Sequence, residues 1–234
     1  MPGINSKNHK MYSAAFRGDG PTDELRSAFQ RMKAAGCTVL VTGELSEPAQ
    51  RQITRRVMGD PRMDRARVLA LLGQVSDADE WFPGDVTSAD PDAHVIEIED
   101  EDRSAAAASP SEDLPPLPER SDLAGDLANR IDVILEGRNL LPPQLRVVVA
   151  PAYYDPSAEE TIVQLVSVLN RIDGMTFLYL PRASVDELAP AVTGRVDGII
   201  DIRTKHADEP EHRWIVMEDG LDEKIETEWF PVEK

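Results

Sequence analysis

The sequence has a single cysteine, no long apolar run and no apolar leader. Cys37 is the only cysteine in 234 residues, which excludes an intramolecular disulfide and a cysteine cluster for zinc. No stretch reaches the roughly 18 apolar residues that a membrane-spanning helix requires. Residues 1–20 are polar and lack the apolar segment of a secretory signal. We therefore expect a cytoplasmic protein that does not contact a membrane.

Lysine is also scarce. The sequence contains 6 Lys and 19 Arg against 43 acidic residues, and its formal net charge is −18. In molar salt the Debye length is about 3 Å, so such a charge is screened, whereas in dilute buffer it opposes compaction. The composition favours a halophilic protein. The alternative is an ordinary acidic protein in which the acidic run 97–102 is a solvated tail. No basic stripe with interleaved aromatic residues occurs, so a nucleic-acid partner is not expected.

Apolar residues make up 41% of the chain, which is enough for a packed core. We predict a flexible leader over residues 1–20 and a single α/β domain over residues 21–234. A flexible excursion interrupts this domain at about residues 99–118, where an acidic run is followed by four consecutive alanines and four prolines. The excursion divides the chain without requiring a second domain.

Apolar strands alternate with amphipathic helices along most of the domain, a pattern typical of βαβ units in a parallel sheet covered on both faces. Two alternating segments around Asp219-Gly220 predict an antiparallel hairpin at the C-terminal end. The predicted fold is α/β, with a mainly parallel sheet, helices on both faces and this terminal hairpin. The predicted strands are residues 38–42, 67–72, 94–98, 145–149, 176–180 and 196–202, with 213–217 and 224–230 in the hairpin.

The turn after the first predicted strand is the place where a P-loop protein carries G-x-x-x-x-G-K-[ST]. In that motif backbone N–H groups hold phosphates, the lysine neutralises them and the hydroxyl binds Mg²⁺. Gly43 matches the first glycine. Pro48 stands at the second glycine, Ala49 at the lysine and Gln50 at the hydroxyl. These differences predict a degenerate phosphate loop that binds no nucleotide cofactor.

Two further features oppose nucleotide binding. Glu44 and Glu47 would place carboxylates beside a triphosphate, which is electrostatically unfavourable. The strand 145–149 is followed by Ala150, at the position where an aspartate would help to hold magnesium. Asp155 comes five residues too late for that role. Both nucleotide motifs are therefore lost independently.

Three segments carry a resemblance to a known family: residues 36–43, the block from Leu145 to Pro181, and residues 196–203 together with Arg213-Trp214. They resemble an uncharacterised haloarchaeal family of RecA/KaiC-like domains. The resemblance implies a RecA-like fold, a haloarchaeal cytoplasm and degenerate nucleotide motifs. It implies no activity. An unrelated Rossmann-like sheet with no nucleotide history is the alternative interpretation.

Other candidate sites rest on weaker patterns. His206 and His212 lie in an acidic segment and could hold a metal, although a solvated loop explains them as well. The acidic residues of the segment 77–80 follow a predicted strand, where α/β sheets build sites, but no nucleophile or base accompanies them. Tyr153 and Tyr154 could stack a ligand or cover the core. We predict no catalytic residue and no metal site.

Three functions fit these observations. The first is a non-catalytic regulatory or scaffolding module, a pseudo-ATPase whose RecA-like surface binds a protein partner or a second copy. The second is a small-ligand-binding domain that uses the crevice at the sheet edge. The third is an enzyme with an unrecognised site. The loss of the nucleotide motifs favours the first.

Overall fold

A computed structural model describes most of the predicted α/β domain. The predicted leader and the predicted excursion at 99–118 lie outside the described residues. The helices are α1 (Asp23–Ala35), α2 (Glu47–Met58), α3 (Leu123–Leu135), α4 (Glu159–Leu169) and α5 (Pro190–Thr193). The strands are β1 (Cys37–Gly43), β2 (Ala66–Leu72), β3 (Ala93–Ile98), β4 (Leu145–Pro151), β5 (Met175–Pro181), β6 (Gly198–His206), β7 (Glu209–Met217), β8 (Lys224–Glu226) and β9 (Phe230–Pro231). The described ranges are 23–44, 46–73, 77–98, 123–152, 158–206, 209–217 and 224–231.

The strands form one sheet in the order β3-β2-β4-β5-β1-β6-β7-β8, and β9 pairs with β7. All pairings from β3 to β6 are parallel, whereas β7 is antiparallel to β6, β8 and β9. The predicted mixed α/β fold is therefore confirmed, with its mainly parallel sheet and its antiparallel C-terminal hairpin. Strand β1 lies inside the sheet: Val39 is in register with Phe177 on β5 and with Gly198 on β6.

Helices cover both faces of the sheet. The direction in which each connection crosses the sheet decides which face its helix covers. The connection from β1 to β2 moves toward β3, while those from β3 to β4 and from β4 to β5 move the opposite way. Because crossovers between parallel strands are right-handed, the opposite directions place their helices on opposite faces. The front layer contains α1, α2 and a 3₁₀ turn at Ala78–Trp81; the back layer contains α3, α4 and α5.

Each layer buries a contiguous apolar cluster against the sheet. In the front layer Trp81 and Phe82 are almost fully buried beside Ile53 and Met58 of α2. In the back layer α3 and α4 bury Leu127 and Leu169, among other residues, against the opposite face. Trp81 and Phe82 belong to a stretch whose sequence reads as a polar loop, so the sequence pattern missed their contribution to the core.

One predicted helix start differs from the structure. The pattern Ser184-Val185-Asp186-Glu187 predicts a capping box, in which the serine side chain bonds the backbone. Instead Val185–Glu187 form a 3₁₀ turn and the Ser184 side chain makes no capping hydrogen bond. The backbone carbonyl of Ser184 accepts from the Glu187 N–H at 3.0 Å. The short helix α5 begins later, at Pro190, where the fixed φ of proline suits a first helical turn.

Candidate functional site

The candidate site is the loop from Gly43 to Gln50, which leaves the carboxyl end of β1 and enters α2. Carboxyl ends of parallel strands are where α/β sheets place their ligands. Gly43 has φ +98, and a Cβ at this residue would lie 1.9 Å from the carbonyl oxygen of Ile202 on β6. Glycine is therefore required here by the close approach of β6. This packing explains a glycine at position 43 without reference to phosphate.

Backbone N–H groups at both ends of the loop are already engaged. The Gly43 N–H donates to the Ala183 carbonyl at 2.9 Å, and the Glu44 N–H donates to the Ile202 carbonyl at 3.1 Å. At the start of α2 the Gln50 N–H donates to the Ser46 carbonyl at 2.9 Å. Pro48 has no N–H. The loop therefore directs fewer donors to a ligand than an intact phosphate loop does.

The side chains at the lysine and hydroxyl positions face the protein interior. Ala49 and Gln50 are 9% and 3% exposed and share the buried face of α2 with Ile53 and Thr54. The Thr54 hydroxyl lies 2.9 Å from the Tyr179 hydroxyl of β5, a buried contact that fixes the helix against the sheet. Burial raises the pKa of Tyr179, so this phenol stays neutral. These helix positions therefore do not present side chains to a bound phosphate.

Carboxylates occupy the exposed side of the loop. Glu44 accepts a hydrogen bond from the Thr204 N–H at 2.9 Å, which holds its negative charge over the end of β6. Glu47 pairs with Arg51, and Arg51 also pairs with Glu80 of the 3₁₀ turn at 78–81. The one arginine in this group thus has two acidic partners within the protein. A triphosphate entering the loop would meet negative charge.

The second nucleotide motif is absent from the end of β4. Ala150 is completely buried, lies in the front cluster and stands opposite Leu71 of β2. Two residues later the Ala152 N–H donates to the Leu72 carbonyl at 2.9 Å. No carboxylate is available from Ala150 to hold magnesium. Tyr153, Tyr154 and Asp155, which the sequence suggested as possible ligand contacts or as a displaced acid, lie outside the described residues.

A charged cluster on β6 and β7 lies beyond Gly43 and was missed from the sequence. Asp201 stands opposite Arg213 and pairs with it at 3.0 Å, while Arg203 stands opposite Glu211 and pairs with it at 2.7 Å. The Trp229 ring centroid is 4.0 Å from the Arg203 guanidinium carbon and 4.9 Å from that of Arg213. The alternation Asp-x-Arg and Glu-x-Arg was the available signal. These cross-strand pairs brace the hairpin.

The remaining candidates Asp77, Asp79 and His212 have structural surroundings. Asp77 accepts from the Asp79 N–H at 3.0 Å, and Asp79 accepts from the Ser88 N–H at 2.7 Å, so both carboxylates stabilise turns. Burial, together with a smaller effect of the Arg56 charge, lowers the pKa of His212 to about 4. Within the described ranges, no group of three or more His, Cys, Asp or Glu residues could hold a metal ion.

The comparisons with known proteins add a family but no activity. Among the described residues, no helix is long and apolar enough to cross a membrane. No curated protein matches the sequence. Residues 36–202, which include the Gly43–Gln50 loop and strands β1 to β5, match a family of unknown function, DUF7504. Because the match covers most of the chain, the protein belongs to the DUF7504 family of unknown function.

Proposed function

We propose that the protein is a non-catalytic regulatory or scaffolding module with a RecA-like fold, whose loop at Gly43–Gln50 holds no nucleoside triphosphate. One observation carries the proposal: the backbone donors of Gly43 and Glu44 and the side chain of Gln50 are directed into the protein. The Gly43 N–H donates to the carbonyl of Ala183, which follows β5, and the Glu44 N–H donates to that of Ile202 on β6. The Gln50 side chain is buried. Such a site offers a triphosphate few free donors on a surface that carries the carboxylates of Glu44 and Glu47.

The binding free energy lost with the phosphate-loop residues is large enough to abolish tight ATP binding. Each charge-assisted hydrogen bond is worth about 1.5–3 kcal/mol. Losing two or three of them weakens binding by several powers of ten, because each 1.4 kcal/mol is about a factor of ten. The carboxylates of Glu44 and Glu47 weaken binding further, because they repel a triphosphate. Residual contacts to the base or ribose are compatible with affinity in the millimolar range.

Within the α/β class, we propose that the fold is RecA-like. It is supported by an interior β1 that leads into the degenerate loop, and by a β4 that ends where a magnesium-binding acid would stand. A haloarchaeal, high-salt cytoplasm is also proposed, and the net charge of −18 with 19 Arg and 6 Lys supports it. A fold of this kind without nucleotide chemistry leaves its surfaces free for binding other proteins or a second copy.

Isothermal calorimetry with Mg-ATP in molar KCl tests the proposal. We expect no binding tighter than millimolar and no phosphate release above the buffer rate over several hours. The matched control is Ser46→Asp, which adds a negative charge at the exposed N-cap of α2 with a residue that helix N-termini favour. A working phosphate site would lose affinity in this variant.

Equal calorimetric traces for the wild type and Ser46→Asp support the proposal. Micromolar binding by the wild type that Ser46→Asp weakens would contradict it. Phosphate release by the wild type that exceeds that of Ser46→Asp would contradict it as well.

A further inference from the structure

A groove of 330 Å³ lies in the back layer, at the edge of the sheet opposite the Gly43 loop. It opens between α3 and α4, near Leu145 at the start of β4 and the segment that precedes β5. Its apolar lining includes Ile131, Leu135, Leu140, Val168 and Ile172. Several of these aliphatic side chains are only partly buried in the protein. The groove is therefore an apolar surface that association could cover.

The rim of the groove carries charges of both signs. Asp132 and Asp173 are acidic, and Arg138 and Arg171 are basic. Arg138 is anchored by Asp92 at 2.9 Å. Within the described part of the chain, no side-chain hydrogen bond or ion pair reaches Asp132, Arg171 or Asp173. A rim with exposed charges of both signs is complementary to a second rim of the same kind.

Leu141 supplies a projecting apolar side chain beside the groove. It follows the groove residue Leu140 directly and is 66% exposed, one of the three large exposed apolar residues in the described ranges. The 3₁₀ turn Pro142–Gln144 that follows holds its backbone, since the Leu141 N–H donates to the Gln144 side chain at 3.0 Å. An exposed apolar side chain thus directly follows a residue that lines the apolar recess.

A protein surface fits this groove better than a small ligand does. Small-ligand sites combine an apolar pocket with a few buried polar groups that orient the ligand. Here the polar residues that line the groove are exposed or only half-buried, and none is as buried as nine-tenths. Protein interfaces show the opposite arrangement, with an apolar centre and a charged, solvated rim.

We propose that a second copy of this chain docks on the groove about a two-fold axis, so that Leu141 of each copy enters the groove of the other. In a two-fold interface the same patch serves both copies and must be self-complementary. The proposal meets this requirement with the recess, the Leu141 side chain and a rim that carries charges of both signs, in which the Arg171 guanidinium of one copy can attract acidic rim residues of the other. The inference rests on the proposed function only in treating the chain as a binding module.

Salt should strengthen this dimer. Two copies that each carry −18 repel one another over their whole surfaces, and molar KCl screens that repulsion. The apolar contact at the groove is not weakened by KCl. The dimer dissociation constant is therefore expected to fall as KCl rises from decimolar to molar, the reverse of an interface held mainly by ion pairs.

Sedimentation equilibrium of the full chain, from micromolar to submillimolar concentration in molar KCl, tests the proposal. We expect a monomer–dimer equilibrium whose dissociation constant rises about tenfold or more in Leu141→Glu, since a buried leucine becomes a buried charge. Arg171→Asp should weaken the dimer too. The control is Met63→Glu, at a residue that is 42% exposed in the turn after α2 and does not line the groove, which should leave the constant unchanged.

Circular dichroism establishes that each variant is folded before it is compared. A wild-type chain that stays monomeric at the highest concentration in molar KCl would overturn the proposal, whatever else fills the groove. A dimer that Leu141→Glu leaves intact, or that Met63→Glu breaks equally, would overturn it as well. This experiment and the Mg-ATP titration can fail separately. A chain that is monomeric and does not bind ATP would contradict the proposed dimer and leave the proposed function standing.

Discussion

Gly43→Ala is expected to destabilise the fold by about 3–5 kcal/mol, a large part of the roughly 5–15 kcal/mol that holds a domain together. Two effects add. A left-handed φ costs a residue with a Cβ about 1–2 kcal/mol, and Gly43 has φ +98. The new Cβ would also lie 1.9 Å from the Ile202 carbonyl oxygen, so β1 and β6 would have to separate.

Gly137→Ala is the matched control for this prediction. Gly137 follows α3 with φ +73, yet a Cβ built there has no neighbour within 4 Å. Alanine at this position has an unfavourable left-handed φ but no steric clash, so we expect the free energy of unfolding to fall by only about 1–2 kcal/mol. Urea unfolding of both variants measures the difference. Equal losses would show that the close approach of β6 is not what requires glycine at position 43.

The second large effect is the dependence of stability on salt. We expect the chain to loosen or unfold below a few hundred millimolar KCl and to regain structure in molar KCl. The charge of −18 repels itself over the surface of a compact chain, and a Debye length of about 3 Å in molar salt removes most of that repulsion. Thermal melts at a fixed protein concentration measure the effect.

Sucrose provides the control for the salt melts, because it strengthens burial generally without adding ions. We expect sucrose in dilute buffer to raise the midpoint much less than molar KCl does. Equal midpoints in low and molar KCl would contradict the halophilic interpretation. So would full recovery of the midpoint by sucrose alone.

Strand identities could be predicted because buried parallel strands are continuous apolar runs. The runs around Val39 and Val148 gave β1 and β4, and the structure places both in one sheet, as predicted. Their neighbours could not be predicted, since an apolar run says nothing about which strand pairs with it. β5 lies between β1 and β4, although β2 and β3 come between them in sequence.

Elements that depend on tertiary contacts were harder to predict. Trp81 and Phe82 occur among acidic residues, glycine and proline, so no local period marks them as core. The charged pairs of Arg203 and Arg213 form only when β6 and β7 pair in the observed register, and the sequence of either strand alone does not determine that register. At Ser184 the correct residue types were present, but the backbone formed a 3₁₀ turn instead of the capped helix start that they predicted.

The candidate loop was the part of the site that the sequence described best. Pro48, Ala49 and Gln50 depart from the phosphate-loop pattern by residue type alone, and their chemistry needs no structure to interpret. The sequence could not reveal that Gly43 is needed by β6, or that the N–H groups of Gly43 and Glu44 are engaged. Those facts depend on residues that lie more than a hundred positions away in sequence.

Amide hydrogen exchange at Gly43 and Glu44, with and without millimolar Mg-ATP in molar KCl, tests the central claim most directly. Their N–H groups donate to the carbonyls of Ala183 and Ile202 at 2.9 and 3.1 Å, so both amides should exchange slowly in the free protein. The amide of Leu40, inside β1, serves as the reference for slow exchange. We predict that Mg-ATP changes neither rate. Rapid exchange in the free chain that slows when Mg-ATP is added would show that these donors serve a phosphate, and would contradict the account.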